Sequence, residues 1–144
     1  MTATAKSKIN VGTWLTVMFL ITTATGIMLH LKKHGIVVEP RPLIKTIHWL
    51  TGYAMTALAC WHYIQFKKVF SAMKHRLRLF RGATIAVIFL VAALFVTGAV
   101  KQFSPVRIPH LGLWHYWLGL IIIVPVALHL VRGIPAWLRL RKAR

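Results

Sequence analysis

Four apolar stretches leave this chain few folds to choose from, because each is about as long as the ~20 residues a helix needs to cross the hydrocarbon core of a bilayer. They run approximately from Val11 to Leu31, Leu43 to Phe66, Gly82 to Val100 and His110 to Val131. Backbone polar groups in lipid must be satisfied within the segment, so each stretch predicts a helix. The connections are short, which makes sequence neighbours antiparallel neighbours in space. The expectation is an all-α, up-down, four-helix transmembrane bundle built as one domain over residues 1–144. Gly35, Pro40 and Pro42 punctuate the first connection, and Ser104, Pro105 and Pro109 the third. The middle one, Lys67 to Arg81, contains neither Gly nor Pro. Val69, Phe70, Met73, Leu77 and Phe80 recur there at helical spacing among cations, the pattern of an interfacial amphipathic helix.

Composition narrows the class. Hydrophobic residues make up 58% of the chain, mean hydropathy is +0.67, and Glu39 is the single acidic residue, whereas soluble domains carry about 25% charged residues. A net charge of +18 on a soluble chain would point to nucleic acid. Here the cations cluster between apolar runs, so the expected counterions are anionic lipid headgroups, and nucleic-acid binding is excluded as a function. Thirteen of the 19 cations lie at the two termini and in the middle connection, against six on the opposite side. By the positive-inside rule both termini are expected to face the cytoplasm, and the chain is expected to be a multi-pass membrane protein. The first apolar run has span length and no small-residue cleavage site after it, the pattern of an uncleaved anchor.

Within this frame one spacing stands out. His48 and His62 are 14 residues apart in the second stretch, and His115 and His129 are 14 apart in the fourth. On a helix that step is roughly 21 Å of rise and ends ~40° short of four whole turns, so both rings of a pair share a face. The two stretches run in the same direction. His48 and His115 fall near the outer ends of their spans, and His62 and His129 near the inner ends. Matched depth pairs His48 with His115 and His62 with His129, each pair able to hold the iron of one haem from both sides. Spans two and four are diagonal in an up-down bundle, which leaves room for a flat macrocycle between them. Two axial imidazoles fill the iron and favour electron transfer over oxygen activation. The single cysteine, Cys60, excludes an intrachain disulfide, and the absence of a CxxCH motif makes both haems non-covalent, b type. A third 14-residue interval, His34 to His48, is a coincidence, because Gly35, Pro40 and Pro42 keep the two out of one helix.

The halves also echo one another. HisTrpLeuThrGly at 48–52 matches HisTyrTrpLeuGly at 115–119, and ThrGly recurs at 25–26 and 97–98. This predicts a hairpin used twice about an axis along the membrane normal. Gly52 and Gly119, one turn from their histidines, are expected to let the macrocycle approach the backbone. Gly26 and Gly98 either do the same or bring helices together. Pro125 should kink span four between its histidines and free a carbonyl near Ile121. His30, His34, His110 and Glu39 form either a proton-handling or quinol site beside the outer haem or an ordinary interfacial group. Lys32, Lys33, Lys45 and Arg107 outside, with Lys67, Lys68 and Arg132 inside, can neutralise haem propionates or simply snorkel.

These residues resemble the four-helix di-haem b-type cytochromes of bacterial membranes, and most closely the flavinylation-associated cytochrome family. The resemblance covers roughly residues 10–132. It rests on ThrGly at 25–26, His48 with Gly52, His62 followed by TyrIleGlnPheLysLys, and the weaker echo in the second half. It implies electron transfer across the membrane between a quinone pool or cytoplasmic donor and an extracytoplasmic redox protein, often a flavoprotein. Compared with the more distant cytochrome b subunits of formate dehydrogenase and nickel-iron hydrogenase, the chain lacks a histidine near the cytoplasmic end of span one, and His62 takes that place. Two other functions use the same residues: a quinol- or superoxide-reacting membrane oxidoreductase, and a non-haem metal-ion or proton carrier. A carrier needs acidic groups within its spans, which are absent from this sequence.

Overall fold

The structure, a computed structural model, describes residues 3–72 and 78–131, with side chains over 11–67 and 82–131. Every element among the described residues is helical. Helix α1 (Ala3–Leu31) passes into a short 3-10 turn at Lys32–His34. Gly35 ends that turn in the left-handed conformation at φ +81°, donating its N–H to the Lys32 carbonyl at 3.1 Å, a cap that glycine adopts without a Cβ penalty. Helix α2 (Arg41–Ala72) carries Pro42 in its first turn, where a missing N–H costs nothing. Glu39 Oε2 accepts the Arg41 N–H at 2.9 Å, so the one carboxylate is spent on a helix start.

Helix α3 (Arg78–Phe103) stops before Ser104 and Pro105. Helix α4 (Leu111–Ile121) follows His110, whose φ is +61°. After a turn at Ile122 the helix resumes over residues 123–131. The expected proline break is there: Pro125 has no N–H for the Ile121 carbonyl, while Ile122 and Val126 keep their own bonds to Leu118 and Ile122 at 3.0 and 3.1 Å. The α2 helix overruns its predicted end at Phe66, so Val69 and Phe70 are helical as the amphipathic reading of the middle connection required. Met73 and Leu77 of that connection, and Arg132 beyond α4, lie outside the described residues.

Among the described residues three segments are long and apolar enough to cross a membrane: Val11–His34, Gly82–Phe103 and Leu111–Val131. Four were expected. The α2 helix has the length, at 32 residues, but His48, Thr51, Thr56, His62 and Gln65 interrupt its apolar character. Apolar side chains such as Trp14, Leu20, Phe89, Val96 and Val124 are exposed, as expected of surfaces that face lipid.

Packing is closest within two hairpins, α1 on α2 and α3 on α4, with lighter contact of α2 on α3 and of α1 on α4. Among the described residues just four are buried: Thr25 on α1, Met55 on α2, Ala83 on α3 and Ile122 at the turn after α4. Across the two hairpins, imidazoles of α2 face imidazoles of the fourth helix.

Candidate cofactor site

The four histidines meet as two pairs. The rings of His48 and His115 are 6.1 Å apart, centre to centre, and nearly perpendicular at 89°. Those of His62 and His129 are 6.2 Å apart at 78°. Each pair draws one ring from α2 and one from α4, hence one from each hairpin. All four side chains are half-buried.

The separation carries chemical information. Two imidazoles bound on opposite sides of one metal ion, with metal–nitrogen bonds of about 2.0 Å and ring centres ~1.1 Å behind each nitrogen, stand about 6.2 Å apart. Both pairs have that spacing. A structural metal centre built from protein alone needs three or four ligands, and no group of three His, Cys, Asp or Glu residues is gathered among the described residues. Two ligands per site suit an ion whose remaining positions are filled by something the protein does not supply, such as a porphyrin.

Three of the rings are held from the preceding helix of their own hairpin. His48 Nδ1 lies 3.0 Å from the Thr22 carbonyl and 3.2 Å from Thr25 Oγ1. His115 Nδ1 lies 2.8 Å from Thr97 Oγ1, and His129 Nδ1 3.3 Å from Thr84 Oγ1. At His48 the tautomer follows from the Thr22 carbonyl, which can only accept: the ring N–H sits on Nδ1 and leaves Nε2 with a lone pair for a metal.

Small residues complete the seats. A Cβ on Gly26 would lie 2.9 Å from His48 Cε1, and one on Gly98 would lie 3.3 Å from His115 Cε1. The ThrGly pair is thus a seat for an imidazole of the next helix: threonine hydrogen-bonds Nδ1 and glycine lets the ring close on the backbone. The repeated dipeptide was visible in the sequence, but its partner was not. Gly52 and Gly119 were expected to admit the macrocycle. Added Cβ atoms there would make ordinary contacts with Thr22 at 3.8 Å and Leu94 at 4.0 Å on the preceding helices. Thr22 also donates to Thr51 at 2.8 Å, tying the same seam.

The outer polar residues are partly gathered. His30 stacks on Tyr116 at 3.4 Å and 4°, and lies 5.4 Å from His34. It does not join the His48–His115 pair. Lys33, Arg41 and Lys45 are close enough to Lys101 to repel it, and the Lys101 ammonium reaches the first turn of α4 at Gly112. Glu39, the single acidic side chain, accepts the Arg41 N–H beside this cluster. Cys60 is exposed and away from the rings.

Compared with protein-family models, curated proteins and solved structures, the chain matches none. The site must be judged on its own geometry.

Proposed function

We propose that this chain is a four-helix, di-haem b-type membrane cytochrome that passes single electrons between the two faces of a bacterial cytoplasmic membrane. The observation that carries it is the repeated 6.1 and 6.2 Å spacing between imidazoles from separate helices, the distance at which two rings share one axially ligated metal. In this reading His48 and His115 hold the outer haem and His62 and His129 the inner one. Bound haem supplies the reversible one-electron couple.

The remaining work falls to the chain. Thr22, Thr25, Thr84 and Thr97 fix ring tautomers and raise ligand basicity. The α2 helix is the fourth span, its polar groups turned toward the interior of an up-down bundle and its hairpin related to the second by a pseudo-twofold axis along the membrane normal. Lys33, Lys45 and Lys101 provide positive charge for propionates at the outer surface, with Lys67 at the inner one. Both termini face the cytoplasm. Donor and acceptor are a quinone pool or cytoplasmic reductant on one side and an extracytoplasmic redox protein, flavoproteins included, on the other. Direct reaction with quinol is a second function with an observation in its favour: His30 stacks on Tyr116, the neighbour of His115, and can accept a proton at the outer haem edge.

The test is the visible spectrum of the purified protein before and after dithionite, with haem and iron counted against protein. A reduced b-type α band and about two haems per chain are expected, the number of facing pairs. Absence of the band together with absence of stoichiometric iron overturns the proposal.

A further inference from the structure

Half-way between the histidine pairs the sequence repeats a second spacing. Met55 is seven residues after His48 and seven before His62, and Ile122 stands in the same relation to His115 and His129. Seven residues make about 10 Å of rise and end ~20° short of two turns, so each falls at mid-depth on the histidine-bearing face of its helix. The proline break does not upset this register. The Ile122 N–H bonds the Leu118 carbonyl and the Val126 N–H the Ile122 carbonyl, at 3.0 and 3.1 Å, which carries the helical pattern across it. Since rings of α2 meet rings of the fourth helix at both ends, the positions half-way along look onto the same interface.

Burial agrees with that placement. Met55 is 6% exposed and Ile122 2%, in a chain where many large apolar side chains are exposed. The other two buried residues belong to the ends: Thr25 bonds His48, and Ala83 precedes Thr84, which bonds His129. Among the described residues the buried core at mid-depth is therefore Met55 and Ile122. Neither side chain carries a strong donor or acceptor.

We propose that Met55 and Ile122 form one apolar partition shared by the two cofactor sites, and that this layer sets the midpoint potentials of both together. The proposal rests on the assignment of the two histidine pairs as axial ligands. Ferric haem carries one positive charge more than ferrous haem, so apolar surroundings disfavour the oxidised form and raise its potential. From half-way the partition acts on both sites alike, whereas Thr97 and Thr84 each touch a single ring. An electron passing from one pair to the other crosses this layer.

A potentiometric titration of the purified, haem-loaded full-length protein, followed in the visible α band, tests the assignment without reference to activity. Met55→Gln, which puts an amide in the layer, should lower both midpoints by similar amounts, preserve their separation and retain two haems. Ile122→Thr, which adds a hydroxyl to a side chain of similar shape, should give the same pattern, and it provides the readout should Met55→Gln fail to accumulate. Met55→Leu keeps the layer apolar at nearly constant volume and should leave both midpoints in place. Movement of one midpoint alone, or of neither, in a polar variant that keeps two haems overturns this inference alone. So does an equal shift in Met55→Leu, or loss of haem from both polar variants. A wild-type protein without haem overturns the cytochrome assignment and this inference together.

Discussion

Gly26→Ala should cost the outer site much more than Gly98→Ala. The new methyl group stands 2.9 Å from Cε1 of His48, whereas carbon atoms ordinarily settle about 3.5–4.0 Å apart. The ring must retreat from α1 by ~0.6 Å or more, and its retreat lengthens both bonds to that helix, now 3.0 Å to the Thr22 carbonyl and 3.2 Å to Thr25 Oγ1. Overpacking costs about 1–3 kcal/mol, and loss of the hydrogen bonding adds roughly 0.5–1.5 kcal/mol. The total of ~2–4 kcal/mol corresponds to a weakening of outer haem binding by about 30- to 1,000-fold. Gly98→Ala starts from 3.3 Å, needs a shift of a few tenths of an ångström, and should cost about 1 kcal/mol. Haem-to-protein ratios measured on dilution should show Gly26→Ala falling from two haems to one while Gly98→Ala keeps both. Retention of two haems by Gly26→Ala with unchanged midpoint potentials would refute the seat assigned to the ThrGly pair, and so would a reversed order of the two variants.

Other perturbations separate the two centres. His115→Ala and His129→Ala should each remove one haem and spare the other, read as the loss of one component in a redox titration; loss of both in either variant would contradict the pairing. Thr97→Val deletes the 2.8 Å bond to His115, worth about 1 kcal/mol, and should raise the outer midpoint potential by some tens of millivolts as the ligand loses basicity. Thr25→Val should do less, because the Thr22 carbonyl still holds His48 at 3.0 Å. Pro125→Ala restores a donor for the Ile121 carbonyl, so the apoprotein should melt higher, by up to ~3 kcal/mol of stability. The straightened helix should rotate His129 against Thr84 and shift the inner haem signal; an unchanged melting temperature would show that the proline break is not strained.

The pairing of histidines was legible in the sequence because equal spacing on parallel segments needs helical rise and span direction alone, and those follow from the pattern of apolar runs. The break at Pro125 was legible for a similar reason: a missing N–H acts within its own helix. What holds the rings was not. Thr97 and His115 are 18 residues apart, Thr22 and His48 are 26, and their meeting depends on how each helix rotates about its axis, which hydropathy constrains weakly. The polarity of α2 was underweighted because length and flanking charge alone suggested a span.

The partition between hairpins has a consequence for how such a protein is assembled. Each threonine seat is completed inside one hairpin, but neither ligand pair exists until both hairpins come together. The second hairpin alone would already seat both of its imidazoles and the first hairpin one, yet each would offer a single ring per pair. A metal or cofactor held between the facing rings would therefore tie one hairpin to the other.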